Sequence, residues 1–231
     1  PLFIADGHHR YETAVAYKQE CTAAEEAGAE VRAYGYSMQT LVNMDDPEGM
    51  AINPIHRVLF DLGQDGLNKL TSGLRVLFET KSRPFSGVRE IRRELLNGQG
   101  HSVFGFVNGE DQQVHYLTLK PSVDVSGLDR EGHSQAWQGL GSALLQLVLA
   151  RVLDLNTETL IRGEKVKFVK VESEVMRLVK QAPDRAGFFL NPVEMGQLRD
   201  VVLSGERMPP KSTFFYPKVY SGLVIQDLQS F

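Results

Sequence analysis

The first twelve residues, PLFIADGHHRYE, contain the side chains best suited to chemistry. Gly7 has no Cβ, so a ligand can approach the backbone there closely. The next three residues are His8, His9 and Arg10, and an arginine can donate two hydrogen bonds to one phosphate group. This pattern predicts that the turn binds a phosphate-like anion.

Carboxylates flank the same turn. Asp6 precedes the glycine and Glu12 follows the arginine. Carboxylates suit Mg²⁺, and a carboxylate can also orient the hydroxyl that attacks a phosphoryl group. Asp6 and Glu12 are therefore candidate catalytic residues.

A strand, a turn and a helix are the elements that must position these groups. Residues 2–5 form an apolar run typical of a buried strand, and we expect the helix to run from about residue 9 to residue 28. The first turn of a helix has unpaired N–H groups and the positive end of the dipole, which attract anions. The alternative is structural, with Asp6 as a helix cap and the basic residues as a solvated first turn. Basic side chains there oppose the dipole, which favours a site.

Two further stretches add basic and hydroxyl side chains. His56 and Arg57 form a pair inside an apolar segment, and the C-terminal segment reads MPPKSTFFYPK. A lysine beside Ser or Thr is typical of phosphate binding, but the glycines of a P-loop are absent. An edge strand anchored by prolines is the alternative. We expect Arg10, His56 and Lys211 to converge on one concave surface.

The stretches IADGHHRYETA, NPIHR and MPPKSTFFYPK resemble the signatures of a large bacterial and archaeal family catalogued as a domain of unknown function. That family resembles the ParB and sulfiredoxin superfamily and the archaeal ADP-dependent free-serine kinases. The resemblance implies an α+β (mixed α/β) fold with a ParB/sulfiredoxin-like strand-turn-helix nucleotide site inside a larger mixed-sheet domain. It also implies a substantial N-terminal portion before the DGHHR segment, so we expect the chain to be truncated there.

The leading hypothesis is a nucleotide-dependent phosphotransferase or phosphohydrolase acting on a small metabolite, similar to a serine kinase. Phosphoryl transfer needs clamped phosphates, a metal ion and an oriented nucleophile, so the expected cofactor is ATP or ADP with Mg²⁺. In the similar serine kinases an acidic catalytic residue lies upstream of the motif, which leaves the base unassigned here. The catalytic candidates are Asp6, Glu12 and His56, and the binding candidates are Gly7, His8, His9, Arg10, Arg57, Lys211, Ser212, Thr213 and Lys218.

Other functions remain as alternatives. A ParB-like nucleotide-binding module would lack metabolic catalysis, and a metal-dependent hydrolase would use His8, His9 and His56. A sulfiredoxin-like activity is disfavoured, because Gly7-His8 stands where those enzymes have a reactive cysteine before their His-Arg pair.

The amino-acid composition restricts the classes of binding partner that we expect. The 231 residues contain 25 basic and 29 acidic side chains, and the net charge of −4 argues against broad binding to DNA or anionic membranes. Cys21 is the single cysteine, so no intramolecular disulfide can form, and no apolar run is long enough to span a membrane. We expect a cytoplasmic protein with a small-molecule substrate. The apolar helix at 140–155 suits the core, with a homodimer interface as the alternative.

We expect residues 1–125 to form an α/β portion with the DGHHR motif and a hairpin, and residues 126–231 to form a helical and strand portion ending in MPPKSTFFYPK, or both to form one continuous domain. Periodicity and turn residues predict the remaining elements. They are a strand at 31–44, helices at 67–78, 88–96, 140–155 and 173–181, an extended segment at 79–85, a hairpin at 102–107 and 113–120, strands at 159–171 and 187–190, and a helix that Asn191-Pro192 opens and Gly205 ends.

Overall fold

The computed structural model describes residues 2–24, 32–46, 48–98, 103–111 and 113–228. The chain divides into two compact units. Unit 1 consists of residues 1–51 and 215–231, and unit 2 consists of residues 52–214. Helices and strands occur together, which confirms the expected α+β fold class.

Unit 1 contains one long helix, α1 (His8–Ala23), and a 3-10 helix (Ala33–Gly35). No residue of α1 is buried. The strand expected at residues 2–5 is absent, and Leu2 is 83% exposed. The strand expected at 31–44 is also wrong over its described part, which is irregular apart from the 3-10 helix. No described strand pairs with either segment, and an unpaired strand leaves its backbone groups without partners.

The predicted start of α1 is confirmed within one residue. The helix ends at Ala23, before the predicted end at residue 28, and residues 25–30 lie outside the described ranges. Strands β1 (Ala51–Asn53) and β8 (Phe214–Tyr216) form a two-stranded sheet.

Unit 2 is built on a six-stranded sheet in the order β3-β5-β4-β7-β2-β6, in which every described pairing is antiparallel. Its elements are β2 (His56–Leu59), α2 (Gly63–Leu77), β3 (Phe78–Pro84), α3 (Val88–Asn97), β4 (Val103–Asn108), β5 (Gln113–Leu119), α4 (Gln135–Gln138), α5 (Gly141–Leu153), α6 (Thr157–Arg162), β6 (Val166–Val169), α7 (Glu172–Val179), β7 (Ala186–Phe189) and α8 (Met195–Leu203).

Two hydrophobic clusters occupy opposite faces of this sheet. Leu59 and Phe188 belong to the cluster that contains apolar residues of α2 and α5. The adjacent Val58 and Phe189 belong to the cluster that contains apolar residues of α3 and α7. Successive strand residues point to opposite faces, so one helix pair covers each face of the sheet.

Most sequence predictions in unit 2 are confirmed. They include the hairpin of β4 and β5, the extended segment β3 and the helices α2, α3, α5 and α7. The strand expected at 159–171 is wrong in its first half. Asn156 caps α6 there by accepting a hydrogen bond of 2.9 Å from the N–H of Thr159.

The N-terminus predicted at Asn191-Pro192 is also wrong. The side-chain amide of Asn191 donates to the carbonyl of Leu95 (3.0 Å), and α8 begins three residues after Pro192. Glu194 and Gln197 form a capping box, in which the Gln197 side chain accepts from the Glu194 N–H at 3.0 Å. A reciprocal box satisfies two helix-end donors, so it defines the helix start instead of Asn191.

Candidate functional site

The DGHHR turn begins α1 with a glycine in the left-handed region. Gly7 is the N-cap residue at φ 77°, and its N–H donates to Asp6 Oδ1 at 2.9 Å. The first helical hydrogen bond runs from the Tyr11 N–H to the Gly7 carbonyl (3.0 Å). No side chain caps the helix, and its first turn has no acidic residue. The first-turn N–H groups and the helix dipole are therefore available to an anion.

Arg10 lies directly beside this helix end. A Cβ added to Gly7 would lie only 2.8 Å from Arg10 Nη2, so the guanidinium folds back over the glycine. Arg10 Nη1 also donates to the hydroxyl of Ser221, a residue that the sequence motifs did not identify. The absence of a side chain at Gly7 thus lets a cation sit at the N-terminus of α1.

Lys218 lies next to the same turn. Its ammonium group is 2.6 Å from Asp6 Oδ2. The hydrogen bond from Lys218 is the main cause that lowers the pKa of Asp6 below its usual value. Unit 1 therefore brings the C-terminal segment and the DGHHR turn together, with an ionised carboxylate and two cations side by side.

The remaining candidates of unit 1 are solvent-exposed. The imidazole rings of His8 and His9 lie with their centroids 4.1 Å apart. His9 Nδ1 lies 3.4 Å from a carboxylate oxygen of Glu12, and the two side chains are 85% and 53% exposed. In the described part of the chain, no group of three or more His, Cys, Asp or Glu side chains is arranged to hold a metal ion.

His56 lies in unit 2, in strand β2, which pairs with β7 and with the edge strand β6. It is 2% exposed, and its Nδ1 accepts a hydrogen bond from the N–H of Leu190 at 3.2 Å. The pKa of His56 is lowered from 6.5 to about 4, chiefly by burial, with Glu172 opposing the change and Arg57 adding to it. Because Nδ1 accepts, the proton of the neutral ring lies on Nε2, which has no partner.

Arg57 is a buried cation with carbonyl and aromatic partners. Its guanidinium donates to the carbonyls of Ile55 (2.6 Å) and Lys211 (3.0 Å) and lies 4.4 Å from the ring centroid of Phe168. Burial lowers the pKa of Arg57 to about 9. Arg57 therefore binds the backbone of the MPPKST segment to the sheet.

The structure places the other C-terminal candidates in different environments. Lys211 has a left-handed backbone (φ 54°) and an exposed side chain. Ser212 is buried, and its hydroxyl has no hydrogen-bond partner. Thr213 is half-buried. Arg10 belongs to unit 1 while His56 and Lys211 belong to unit 2, so the single pocket containing all three stays a prediction.

Comparison with known proteins places the chain in a family. Residues 1–145 match the family described as "Protein of unknown function (DUF1015)". The chain belongs to the DUF1015 family. This match confirms the expected domain-of-unknown-function family, whereas the likeness to ParB and sulfiredoxin stays a prediction.

One solved structure similar to this DUF1015 chain is a free serine kinase mutant in complex with AMP. The two sequences are 13% identical, the TM-score is 0.40, and the match covers 73% of this chain and 55% of the other. The chain thus spans about half the length of that kinase. No curated protein matches it. Among the described residues of the DUF1015 chain, no helix is both long and apolar enough to cross a membrane.

A second polar cluster lies in the loop before α4, and the motifs did not identify it. The carboxylate of Asp129 accepts from the N–H and Nδ1 of His133 (2.7 and 3.0 Å) and from the amide of Gln138 (3.0 Å). Burial would raise the pKa of Asp129, but these hydrogen bonds lower it to about 2. The His133 ring stacks on Trp137 with 3.8 Å between centroids. The i, i+4 spacing of Asp129 and His133 is the sequence feature that could have indicated this cluster. Asp129 accepts from its own loop and from α4, so this carboxylate links the loop to the helix.

Proposed function

We propose that the DUF1015 chain binds the phosphate groups of a nucleotide at the Asp6–Arg10 turn, as a nucleotide-dependent phosphotransferase acting on a small metabolite. One observation carries the proposal: the N-terminus of α1 has no side-chain cap, and the guanidinium of Arg10 folds over it. Unpaired N–H groups, the helix dipole and a guanidinium are the groups that bind phosphate in proteins.

The residues at the turn fit a phosphate group. Gly7 adds no side chain, His8 and His9 add exposed imidazoles, and Arg10 is oriented by Ser221. The expected ligand is ATP or ADP. The nucleotide would supply the phosphoryl group, and these residues would hold its phosphate oxygens and offset their charge.

Of the two carboxylates at the turn, Asp6 has the specific role in this proposal. Asp6 is kept ionised by Lys218, so it is suited to hold Mg²⁺ or to orient the substrate hydroxyl. Glu12 is exposed one helical turn further along. Lys218 limits repulsion between the Asp6 carboxylate and a bound phosphate. Lys211 and Thr213 belong to unit 2, and their binding of phosphate stays a prediction.

The binding proposal is tested by calorimetric titration of ATP and ADP, with and without Mg²⁺, into the wild type and Arg10→Ala. A hydrogen bond to a charged group contributes about 1.5–3 kcal/mol, so losing the guanidinium should weaken binding by roughly 10- to 100-fold. Arg89→Ala is the matched control, because Arg89 is an exposed arginine in the first turn of α3. Equal affinities of wild type and Arg10→Ala, or no nucleotide binding by the wild type, would refute the site.

Transfer is tested separately by phosphorus NMR of the protein with Mg-ATP or Mg-ADP and a panel of small hydroxyl metabolites. The proposal expects a phosphorylated metabolite, and its rate should fall in Asp6→Asn while the control Asp65→Asn, at an exposed position of α2, keeps the wild-type rate. Nucleotide binding without any transferred phosphoryl group would restrict the function to nucleotide binding.

A further inference from the structure

A small cavity lies inside unit 2 at the N-terminus of α5. Its volume is about 10 Å³, which is close to the space needed for one water-sized particle. The lining combines apolar side chains with polar side chains from four segments of the chain, namely Ser142 of α5, Asn191 after β7, Gln197 of α8 and Ser212 of the MPPKST segment. None of the lining residues is charged.

Two hydroxyl groups that line this cavity have no hydrogen-bond partner. Ser142 is 7% exposed and Ser212 is 6% exposed, and neither Oγ has a partner in the structure. Burying a polar group without a partner is unfavourable, because the group loses its hydrogen bonds to water. Two such hydroxyls at one cavity can both donate hydrogen bonds to a single acceptor held inside it.

The end of α5 adds further donors. The helix has 13 residues, and its N-cap residue, Leu140, provides no side-chain hydrogen bond. The first backbone hydrogen bond of the helix runs from the N–H of Leu144 to the carbonyl of Leu140 at 2.9 Å. The N–H groups of Gly141 and Ser142 precede that bond, so the positive end of the helix dipole faces the cavity wall that these residues form.

A buried cation strengthens the positive potential. Arg57 donates to the carbonyl of Ile55, which lines the cavity, and to the carbonyl of Lys211, which precedes Ser212. Among the described residues, no carboxylate forms an ion pair with Arg57. The neighbourhood therefore combines a helix N-terminus, two hydroxyl donors and a buried guanidinium without a compensating negative charge.

We propose that this cavity is a binding site for a small monatomic anion of chloride size. The hydroxyls of Ser142 and Ser212 and the N–H groups at the start of α5 donate to the anion, and Arg57 balances its charge through the cavity wall. A polyatomic anion such as phosphate exceeds the volume of the cavity. The bound anion fixes the MPPKST segment against α5, independently of the nucleotide site in unit 1.

Thermal unfolding in matched salts tests the proposal. The protein is melted in sodium chloride and in sodium gluconate at equal ionic strength and pH, since gluconate is too large for the cavity. We expect the Tm to be about 2–4 °C higher in chloride, because a ligand that binds only the folded state raises its stability. The effect should saturate as chloride increases, and it should be lost in Ser212→Ala and Ser142→Ala.

Ser173→Ala is the matched control. Ser173 is an exposed serine at the second position of α7, as Ser142 is at the second position of α5. This variant should keep the full chloride effect. In gluconate, Ser212→Ala should be at least as stable as the wild type, because the substitution removes a buried hydroxyl that lacks a partner there.

Two results would overturn the proposal. One is a wild-type Tm that is the same in both salts. The other is a loss of stability in Ser212→Ala of equal size in chloride and in gluconate, which would identify a bound water instead. The line width of the chlorine-35 NMR signal gives an independent readout. It should broaden in the presence of the wild type and of Ser173→Ala more than with Ser212→Ala, and equal broadening by all three would also contradict the site.

Discussion

His56 gives the protein a specific sensitivity to acid. The imidazole is 2% exposed, and its pKa is lowered from 6.5 to about 4, chiefly by burial. Between these two values the unfolded chain binds a proton at this position and the folded chain does not. Unfolding therefore takes up a proton, and the free energy of unfolding falls as the pH falls. The contribution of the neutral His56 to the free energy of unfolding is complete above pH 6.5 and is lost by about pH 4.

The size of the effect follows from the pKa difference. At about 1.4 kcal/mol per pKa unit, the full contribution of His56 is about 3 kcal/mol. Between pH 7 and pH 4.5 the expected loss is about 2–3 kcal/mol. This is a large part of the 5–15 kcal/mol that typically stabilises a domain.

His56→Asn isolates this contribution. The side-chain oxygen of asparagine can accept from the Leu190 N–H in place of Nδ1, but asparagine does not titrate. The variant loses ring packing against Phe189 (5.4 Å between centroids) and should be less stable at pH 7. Its stability should then fall about 2–3 kcal/mol less than that of the wild type as the pH is lowered to 4.5.

Urea unfolding of both proteins from pH 7.5 to pH 4.5 measures the difference. Comparison with His56→Asn removes the contribution of the carboxylates, which titrate in both proteins. His9→Asn is the control, because it makes the same substitution at a histidine that is 85% exposed. Parallel curves for wild type and His56→Asn would show that His56 is not held neutral in the folded protein.

Two other predictions concern the turn and the loop cluster. Gly7→Ala should weaken nucleotide binding by about 10-fold in calorimetry, because the new methyl group displaces Arg10 as well as straining the backbone by roughly 1 kcal/mol. Gly132→Ala has the same strain (φ 74°) but no atom near the new Cβ, so it should bind as the wild type does, and equal affinities of all three proteins would contradict the reasoning. Asp129→Asn should cost about 2 kcal/mol in urea unfolding, since hydrogen bonds from Gln138 and His133 outweigh burial and lower the carboxyl pKa from 3.8 to about 2. That difference should persist above pH 5 and narrow as the pH falls below 4, and an unchanged stability at pH 7 would refute the role of the carboxylate.

The sequence predicted unit 2 well because most of its elements bury a periodic apolar face. The hairpin of β4 and β5 follows from the turn signal Asn108-Gly109, and the Asn108 side chain accepts from the N–H groups of Glu110 and Asp111 at 3.0 Å. Helix α5 and strand β7 are almost wholly buried, and their apolar runs identify them. The two wrong predictions in unit 2 both lie at helix N-termini, where the cap residue, Asn156 or Glu194, determines the residue at which the helix begins.

Unit 1 was predicted less well because its apolar segments are not buried. Its apolar residues resemble those of buried strands, yet Leu2, Tyr36, Met38 and Leu41 are exposed between 61% and 83%. Hydrophobic composition predicts burial only where partner strands exist, and no described strand pairs with these segments. The turn itself was predicted correctly as the start of a helix, since Gly7 and the polar run that follows it determine the local conformation.

The roles of the candidate site residues stay predictions. Residue types identified Asp6, Arg10 and Lys218, and the structure places Lys218 on Asp6. The partnership between Arg10 and Ser221 spans most of the chain, so no local pattern could reveal it. The burial of Arg57 was not predictable either, because an arginine in an apolar strand gives no indication of the carbonyls that it will bind.

The most direct test of the nucleotide site is amide hydrogen exchange of the protein with and without saturating ATP. The N–H groups of His8 and His9 precede the first helical hydrogen bond of α1, so they should exchange rapidly in the free protein. If the turn holds the phosphates, ATP should slow exchange in the peptide containing residues 7–10 and leave the first turn of α3 unchanged. Detectable ATP binding with unchanged exchange at residues 7–10 would contradict the account.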